Sequence, residues 1–306
     1  MKTLERIHHL VLKQYGRFIL PEGRIDLEKP VLVPVNMGIG DTVFLMPMLH
    51  ALSLNTQLVI ACPKKDVNEI LSINIPKAIL IDQITGKKNY YGTVICNFLS
   101  KWTPIIHKLL SLRIPTRIGH INSRDEKYAW FFNHHVKYEK WQHYTEWNNA
   151  LLQPLHIEPI VEFTLRSAPI NVPAYDILIS PCSSFDPKKE WPYYEGLIRQ
   201  LGDFKVGIIG NLKERPGCYF DNTENLAGQF SLLQTYQMLK HAKLVIGNCG
   251  GMVKIADMLG TKCIQIFREF DDSFPQAKIS GINLIEPDIH GVQSAVIQQL
   301  SKEEIS

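Results

Sequence analysis

The sequence predicts an α/β protein of two domains, each a parallel sheet with helices on both faces. Short apolar runs alternate with helical stretches, as parallel strands joined by helices require. The alternation runs once before a proline-bearing stretch at residues 156–175 and again after it, which marks that stretch as an interdomain linker. Some apolar runs end on glycine turns that open helices, as at Asn248-Cys-Gly-Gly251. The 306-residue length suits two domains of about 150 residues each.

The start, MKTLERIHHLVLKQYGRF, has charges and histidines throughout and no cleavage-like site. It predicts a short amphipathic helix rather than a signal peptide. Residues 31–35 predict a first buried strand, with Pro34 near its end because proline is awkward in a central strand. Gly38 and Gly40 then shape a loop, and Asp41 stands where a helix starts. Position 43 is Val, so no GxGxxG dinucleotide fingerprint is complete, and no GK[ST] completes a P-loop. Asp41 taken alone reads as a helix N-cap. Strands follow at 57–61, 78–81, 93–96 and 116–120, with helices at 66–71, 104–112 and 146–155. Residues 120–140 are polar and aromatic without a period and predict a surface loop beside a binding cleft. The second half repeats the pattern, with strands at 176–180, 205–209, 244–247 and 263–267. Its helices fall at 193–201, 232–241, after Gly250-Gly251, and at 290–301.

The stretch from Lys243 to Phe267 organises the second half as strand, glycine turn, helix and strand. Gly250-Gly251 allows turns closed to other residues, and Gly260 suits the helix end. Such a helix start presents free N–H groups and about half a positive charge, an anion site. Lys254 in the first turn opposes the helix dipole, which a bound anion would offset. A plain connecting turn is the competing reading.

Composition is that of a soluble globular protein, 45% hydrophobic and 21% charged, without the run of about 18 apolar residues of a membrane span. Six cysteines, at 62, 96, 182, 218, 249 and 263, form no CxxC pairing and several sit in apolar runs. Buried free thiols in a reducing cytoplasm are expected. Charge is uneven. Residues 1–150 hold 19 Lys and Arg against 12 Asp and Glu, a balance of +7, while residues 151–306 hold 14 against 18, a balance of −4. The basic half suggests an anionic partner; ordinary surface variation is the alternative.

Seven separated pieces, in order, resemble glycosyltransferase family 9, the ADP-heptose:lipopolysaccharide heptosyltransferases. They are Met37-Gly-Ile-Gly-Asp41 with Pro47 and Leu49, like the family's GDxxxxxPxL loop; Arg117-Ile-Gly119; and the histidine-headed helix from His143 to Leu155. Then come Ser180 to Pro192, like a serine/threonine loop ending in K-x-W-P; Gly210 to Glu214; Asn225 to Gly228; and Lys243 to Phe267. Where the family has Asp-[Ser/Thr]-Gly-Pro-Met-His, this chain has Cys249-Gly-Gly-Met-Val-Lys254, so an acidic residue and a histidine are replaced.

The resemblance implies a GT-B fold of two Rossmann-like domains with parallel sheets facing across a cleft, residues 1–160 taking the acceptor and 161–306 the donor. It implies inverting transfer of a sugar from a nucleotide diphosphate sugar, ADP-heptose in this family, to a saccharide such as lipopolysaccharide core. Asp41 would be the base, acting late as the anomeric centre pulls on the acceptor hydroxyl. Ser183, Ser184, Lys189, Cys249, Gly250, Gly251 and Lys254 would face the donor, with Lys254 holding the diphosphate in place of an imidazole. Glu214 matches the family's ribose-holding glutamate. The bland readings are a solvated pair for Lys188-Lys189, a surface acid for Glu214 and packing for Trp191. Gly40, Arg117 and Arg124 would meet the acceptor, although Arg117 equally suits a structural pairing. His143 is structural or acceptor-side. No DxD or His/Asp cluster suggests a metal. No cofactor and no nucleic acid are expected. The partners expected are the sugar nucleotide and an anionic, lipid-linked acceptor met peripherally at the inner membrane. Two alternatives stand: a sugar-nucleotide-binding protein without transfer, and a GT-B enzyme for another sugar nucleotide.

Overall fold

A computed structural model of the chain describes residues 10–301, apart from 17–18, 22, 98–104, 122–125, 138, 140–141, 168, 184–186, 203 and 270–276. The chain divides into two compact units, Met1–Glu162 and Phe163–Ser306.

Unit 1 carries α1 (residues 10–16), β1 (Val31–Pro34), α2 (Ile39–Val43), α3 (Met46–Asn55), β2 (Leu58–Ala61), α4 (Lys65–Asn74), β3 (Ile79–Ile81), β4 (Thr93–Cys96), α5 (Ile106–Leu112), β5 (Thr116–His120), β6 (His134–Val136) and α6 (Tyr144–Ala150). Its six parallel strands run β3-β2-β1-β4-β5-β6. All residues of β1, β2, β4 and β5 are buried, as strands covered on both faces require. Pro34 ends β1, where the lost N–H costs the ladder least. Gly119 has a packing reason: an ideal Cβ there would lie 2.4 Å from the Phe132 ring.

Unit 2 carries β7 (Ile177–Ser180), α7 (Tyr194–Gln200), β8 (Val206–Ile208), β9 (Glu224–Asn225), α8 (Leu232–His241), β10 (Leu244–Asn248), α9 (Gly251–Met258), β11 (Cys263–Phe267), β12 (Gly281–Ile285) and α10 (Ile289–Ser301). Its strands run β12-β11-β10-β7-β8-β9, again all parallel. Ser231 and Gln234 form a reciprocal capping box that starts α8. Gly260, at φ 74°, follows the last turn of α9 and closes it in the left-handed conformation.

Residues 120–140, expected to be a loop, contain a short 3-10 helix, Glu126–Phe131, and the edge strand β6. Phe131 and Phe132 are buried. Their apolar surface, not a helical or strand period, fixes this segment. The edge strands β9 and β12 also go unmarked in the sequence pattern. Among the described residues no helix is long and apolar enough to cross a membrane.

Candidate functional site

Ligands of open parallel sheets gather outside the carboxyl ends of the strands, at the point where strand order reverses. That point falls between β1 and β4 in unit 1, and between β7 and β10 in unit 2.

In unit 1 the chain leaves β1 and enters α2 at Gly38, whose φ of −68° and ψ of 158° make it the N-cap; no side chain caps it. Asp41 is therefore not the cap but the third helical residue, half-buried, with Gly40 buried before it. An ideal Cβ on Gly38 would meet only the Asp41 Oδ2, at 3.7 Å, so the space in front of this turn is open to backbone approach.

Behind Asp41 lies a buried polar brace. Asn148 of α6 donates from Nδ2 to the Phe44 carbonyl at 2.9 Å. Its Oδ1 accepts from Nδ2 of Asn97, which follows β4. His143 caps α6: its Nδ1 accepts the Thr145 N–H at 3.2 Å, which leaves the ring proton on Nε2. Its ring meets Phe44 edge-on, centroids 4.7 Å apart. His120, ending β5, donates from Nε2 to the Trp147 carbonyl at 2.8 Å. The carboxyl ends of β4 and β5 are thus fastened through α6, and Asn97 and α6 reach the segment carrying Asp41. Sequence reading missed Asn97 and Asn148; an asparagine directly after an apolar strand was the one available signal.

Arg117 is corrected to a structural brace. It occupies the second position of β5, at the opposite end from the ligand-gathering edge, and is buried. Its Nε donates to the Phe131 carbonyl at 2.6 Å, and its Nη1 to the carbonyls of Pro21, Ile114 and Pro115 at 2.8, 2.8 and 2.9 Å. A buried guanidinium bonded to four backbone carbonyls holds the strand's start. Arg124 lies outside the described residues, as does Ser184 in unit 2.

In unit 2, Asn248 at the end of β10 is the hub. It is buried, its Nδ2 donating to the Pro181 carbonyl at 2.6 Å. Its Oδ1 accepts from the Trp191 N–H at 2.9 Å and the Tyr194 hydroxyl at 3.1 Å. One side chain therefore ties the loop after β7, the start of α7 and the turn into α9. Glu190 closes that first loop, its carboxylate accepting the Ser183 N–H at 2.7 Å. Lys189 precedes it, half-buried, at the end of the short helix Pro187–Lys189. Arg268, just past β11, donates to the Lys188 carbonyl at 3.1 Å. Trp191 is buried in the core, its indole N–H on the Pro287 carbonyl at 2.8 Å, which makes it packing. The sequence marked Asn248 only as the residue that opens the glycine turn, and it did not single out Glu190 or Arg268.

Cys249 is half-buried, its N–H on the Ile266 carbonyl at 3.1 Å, and Gly250 caps α9 without a side-chain bond. The special turn expected of Gly250 is corrected: its φ of −145° and ψ of 178° are ordinary extended backbone. An ideal Cβ there would meet only the Asn248 carbonyl, at 3.6 Å. Glycine here leaves room in front of the helix start rather than permitting a strained turn. Gly251 is the first helical residue, and the Lys254 N–H closes the first turn on the Gly250 carbonyl at 3.3 Å. Glu214 lies in the segment after β8, its carboxylate accepting from the backbone N–H and side chain of Asn211 at 3.0 and 2.8 Å. Among the described residues no three His, Cys, Asp or Glu side chains are grouped to hold a metal ion.

The sequence profile described as Glycosyltransferase family 9 (heptosyltransferase) matches residues 109–277, more than half of the chain. The chain belongs to this family. It is a glycosyltransferase, and the matched span contains the Ser183, Lys189, Glu214 and Lys254 loops but begins after Asp41. No curated protein matches the chain in sequence. Among solved structures, a family 9 glycosyl transferase from Veillonella parvula aligns at TM-score 0.68 and 14% identity, over 92% of this chain and 91% of that one. Escherichia coli ADP-heptose lps heptosyltransferase II aligns at TM-score 0.69 and 17% identity, over 90% of this chain and 99% of that one. E. coli heptosyltransferase WaaC, solved with ADP, aligns at TM-score 0.63 and 15% identity over the same shares, 90% and 99%. The two six-stranded parallel sheets are those of the GT-B heptosyltransferase fold.

Proposed function

We propose that this family 9 glycosyltransferase is an inverting, metal-independent enzyme that moves a heptose from ADP-heptose to a hydroxyl of an anionic saccharide such as lipopolysaccharide core. Unit 2 takes the donor and unit 1 the acceptor. The observation that carries the reading is the Asn248 hub, which holds the Ser183–Lys189 loop and the start of α9 together at the strand-order reversal of unit 2.

The diphosphate sits against the uncapped N–H groups of α9, where Gly250 leaves it room, with Lys254 and Lys189 supplying full charges. Ser183 and Ser184 donate hydroxyl bonds to phosphate oxygens. Glu214 exchanges its Asn211 bonds for the ribose hydroxyls. Cys249 faces the donor sugar, a weak hydrogen-bonding group where the family has a carboxylate. In unit 1 Asp41 takes the acceptor proton as the glycosidic bond to the diphosphate breaks and the new bond forms on the opposite face. Gly40 and Gly38 let the acceptor approach the backbone beside it. The protein meets a lipid-linked acceptor peripherally, at the cytoplasmic face of the inner membrane.

The replacement of the family's Asp and His by Cys249 and Lys254 favours a second reading, a sugar-nucleotide-binding protein without transfer. A thermal-shift panel of nucleotides and nucleotide sugars, followed by transfer and donor-hydrolysis assays, separates the readings. ADP-heptose should give the largest shift, because at equal concentration the tighter ligand stabilises more, as the logarithm of ligand concentration over Kd. Transfer of heptose to a core saccharide should follow. A larger shift with another sugar nucleotide overturns the donor assignment. Tight binding with neither transfer nor hydrolysis establishes the second reading.

A further inference from the structure

Two cysteines meet beside the loops just described. Cys182 lies two residues past β7, and Cys218 ends the short helix Arg215–Cys218 in the segment after β8. Their sulfurs are 3.2 Å apart in a thiol–thiol hydrogen bond, and Cys182 Sγ also reaches the Glu214 carbonyl at 3.7 Å. The residue at 217 is glycine, and an ideal Cβ there would crowd Cys182 Sγ at 3.2 Å. Cys218 is fully buried, while Cys182 keeps partial exposure. Cys62, Cys96 and Cys263 are buried, and Cys249 is half-buried.

A partly exposed cysteine touching a fully buried one is the arrangement of an attacking and a resolving thiol. The hydrogen bond from Cys218 holds the Cys182 thiol below its ordinary range, and the same bond together with burial pushes Cys218 up. Cys182 is thus the sulfur that ionises, and Cys218 keeps its proton.

We propose that Cys182 and Cys218 are a peroxide-sensitive dithiol that closes reversibly into a disulfide and displaces the donor loops of unit 2. The Cys182 thiolate attacks a peroxide oxygen; the O–O bond breaks, and the departing hydroxide takes up the proton that the thiol had released. The Cys218 sulfur then attacks the resulting sulfenic acid. An S–S bond forms, the S–O bond breaks, and the leaving hydroxide takes the Cys218 proton. Two thiols are oxidised and one peroxide is reduced to two waters. A dithiol reductant reverses the step. A disulfide needs its sulfurs about 2 Å apart, so closing the pair brings the two sulfurs about 1 Å closer and pulls on the segments bearing Ser183 and Glu214. A shift of that size at a positioning site lowers turnover by as much as ~100-fold. This functional consequence rests on the donor reading of Ser183 and Glu214; the disulfide itself does not.

The test treats the folded, full-length protein with hydrogen peroxide, alkylates it and maps it by non-reducing peptide mass spectrometry. A Cys182–Cys218 linked peptide should form before Cys249 is modified and vanish with dithiothreitol. Oxidation of Cys182 to sulfinic acid without a link, or prior oxidation of Cys249, overturns the assignment. Calorimetry with ADP then compares reduced and oxidised protein. Oxidation should weaken binding reversibly, and Cys218→Ser and Cys182→Ser should each remove that reversible response. A link that forms without changing ADP affinity overturns the displacement. If reduced protein binds no ADP, the donor reading fails, and the peptide map alone decides the disulfide.

Discussion

Asp41 stands at the third position of a five-residue helix whose cap is a glycine, and the asparagine network behind it fixes the end of that helix. Asp41→Asn keeps the shape and removes the basicity. Steady-state kinetics should show kcat down by ~100-fold or more with the donor KM near its original value; equal turnover would remove the base assignment. His120 offers a prediction about stability. Burial lowers it from 6.5 to about 4, against its bond to the Trp147 carbonyl. The unfolded chain therefore binds a proton between pH 6.5 and 4 that the folded chain does not. Stability is full above about pH 6.5 and is lost as pH falls toward 4, by on the order of 3 kcal/mol. Urea unfolding across that range should show the slope in the wild type and a shallower one in His120→Gln. Identical slopes would mean that other groups carry it. At this scale the sequence was legible where chemistry is local. Lys254 in a first helical turn could be placed directly, and Asp41 could be placed near a helix start although it is not the cap. The role of Asn248 as a hub could not be read, because its partners Trp191, Tyr194 and Pro181 lie 54 to 67 residues away.

The central strands declared themselves because a strand covered on both faces must be apolar throughout: the 93–96 run is β4, residue for residue. Edge strands carry no such demand. His134–Val136 and Glu224–Asn225 have one buried residue between them, so no apolar run marks β6 or β9. Arg117-Ile-Gly119 looked like a ligand motif, yet its residues serve β5 itself. Gly119→Ala would press a methyl into the Phe132 ring and should cost about 1–3 kcal/mol in unfolding experiments; a neutral result would show that the ring moves freely. The two helix starts are the elements to which the proposed function assigns ligands. If α9 receives a diphosphate, Lys254→Ala and Lys189→Ala should each weaken ADP binding more than adenosine binding, since their charges meet phosphate. EDTA should leave turnover intact. Strict dependence on added magnesium would assign the neutralising role to a metal ion instead.

Across the whole molecule the charge is divided, +7 over residues 1–150 and −4 over the rest. Among the described residues, three of the basic side chains of unit 1 lie in separate settings. Lys65 lines one surface groove with Glu69 and Asp82, Lys87 lines another beside Tyr90, and Arg117 is buried against carbonyls. Lys64 is different, because its Nζ donates to the Met37 carbonyl at 2.6 Å, directly before Gly38 and the α2 turn. A phosphorylated or acidic acceptor reaching Asp41 would pass this ammonium, whereas a neutral sugar would gain little from it. Exposed charges are screened over about 8 Å at physiological ionic strength. The acceptor kcat/KM should therefore fall as salt rises from low to physiological strength, while the donor KM changes less. Lys64→Ala should flatten that dependence. Arg117→Ala should leave its slope unchanged and instead lower the unfolding midpoint, because its guanidinium bonds carbonyls and not ligand. An acceptor reaction indifferent to ionic strength, or a neutral acceptor used equally well, would rule out the anionic acceptor and leave the basic half of the chain as ordinary surface variation.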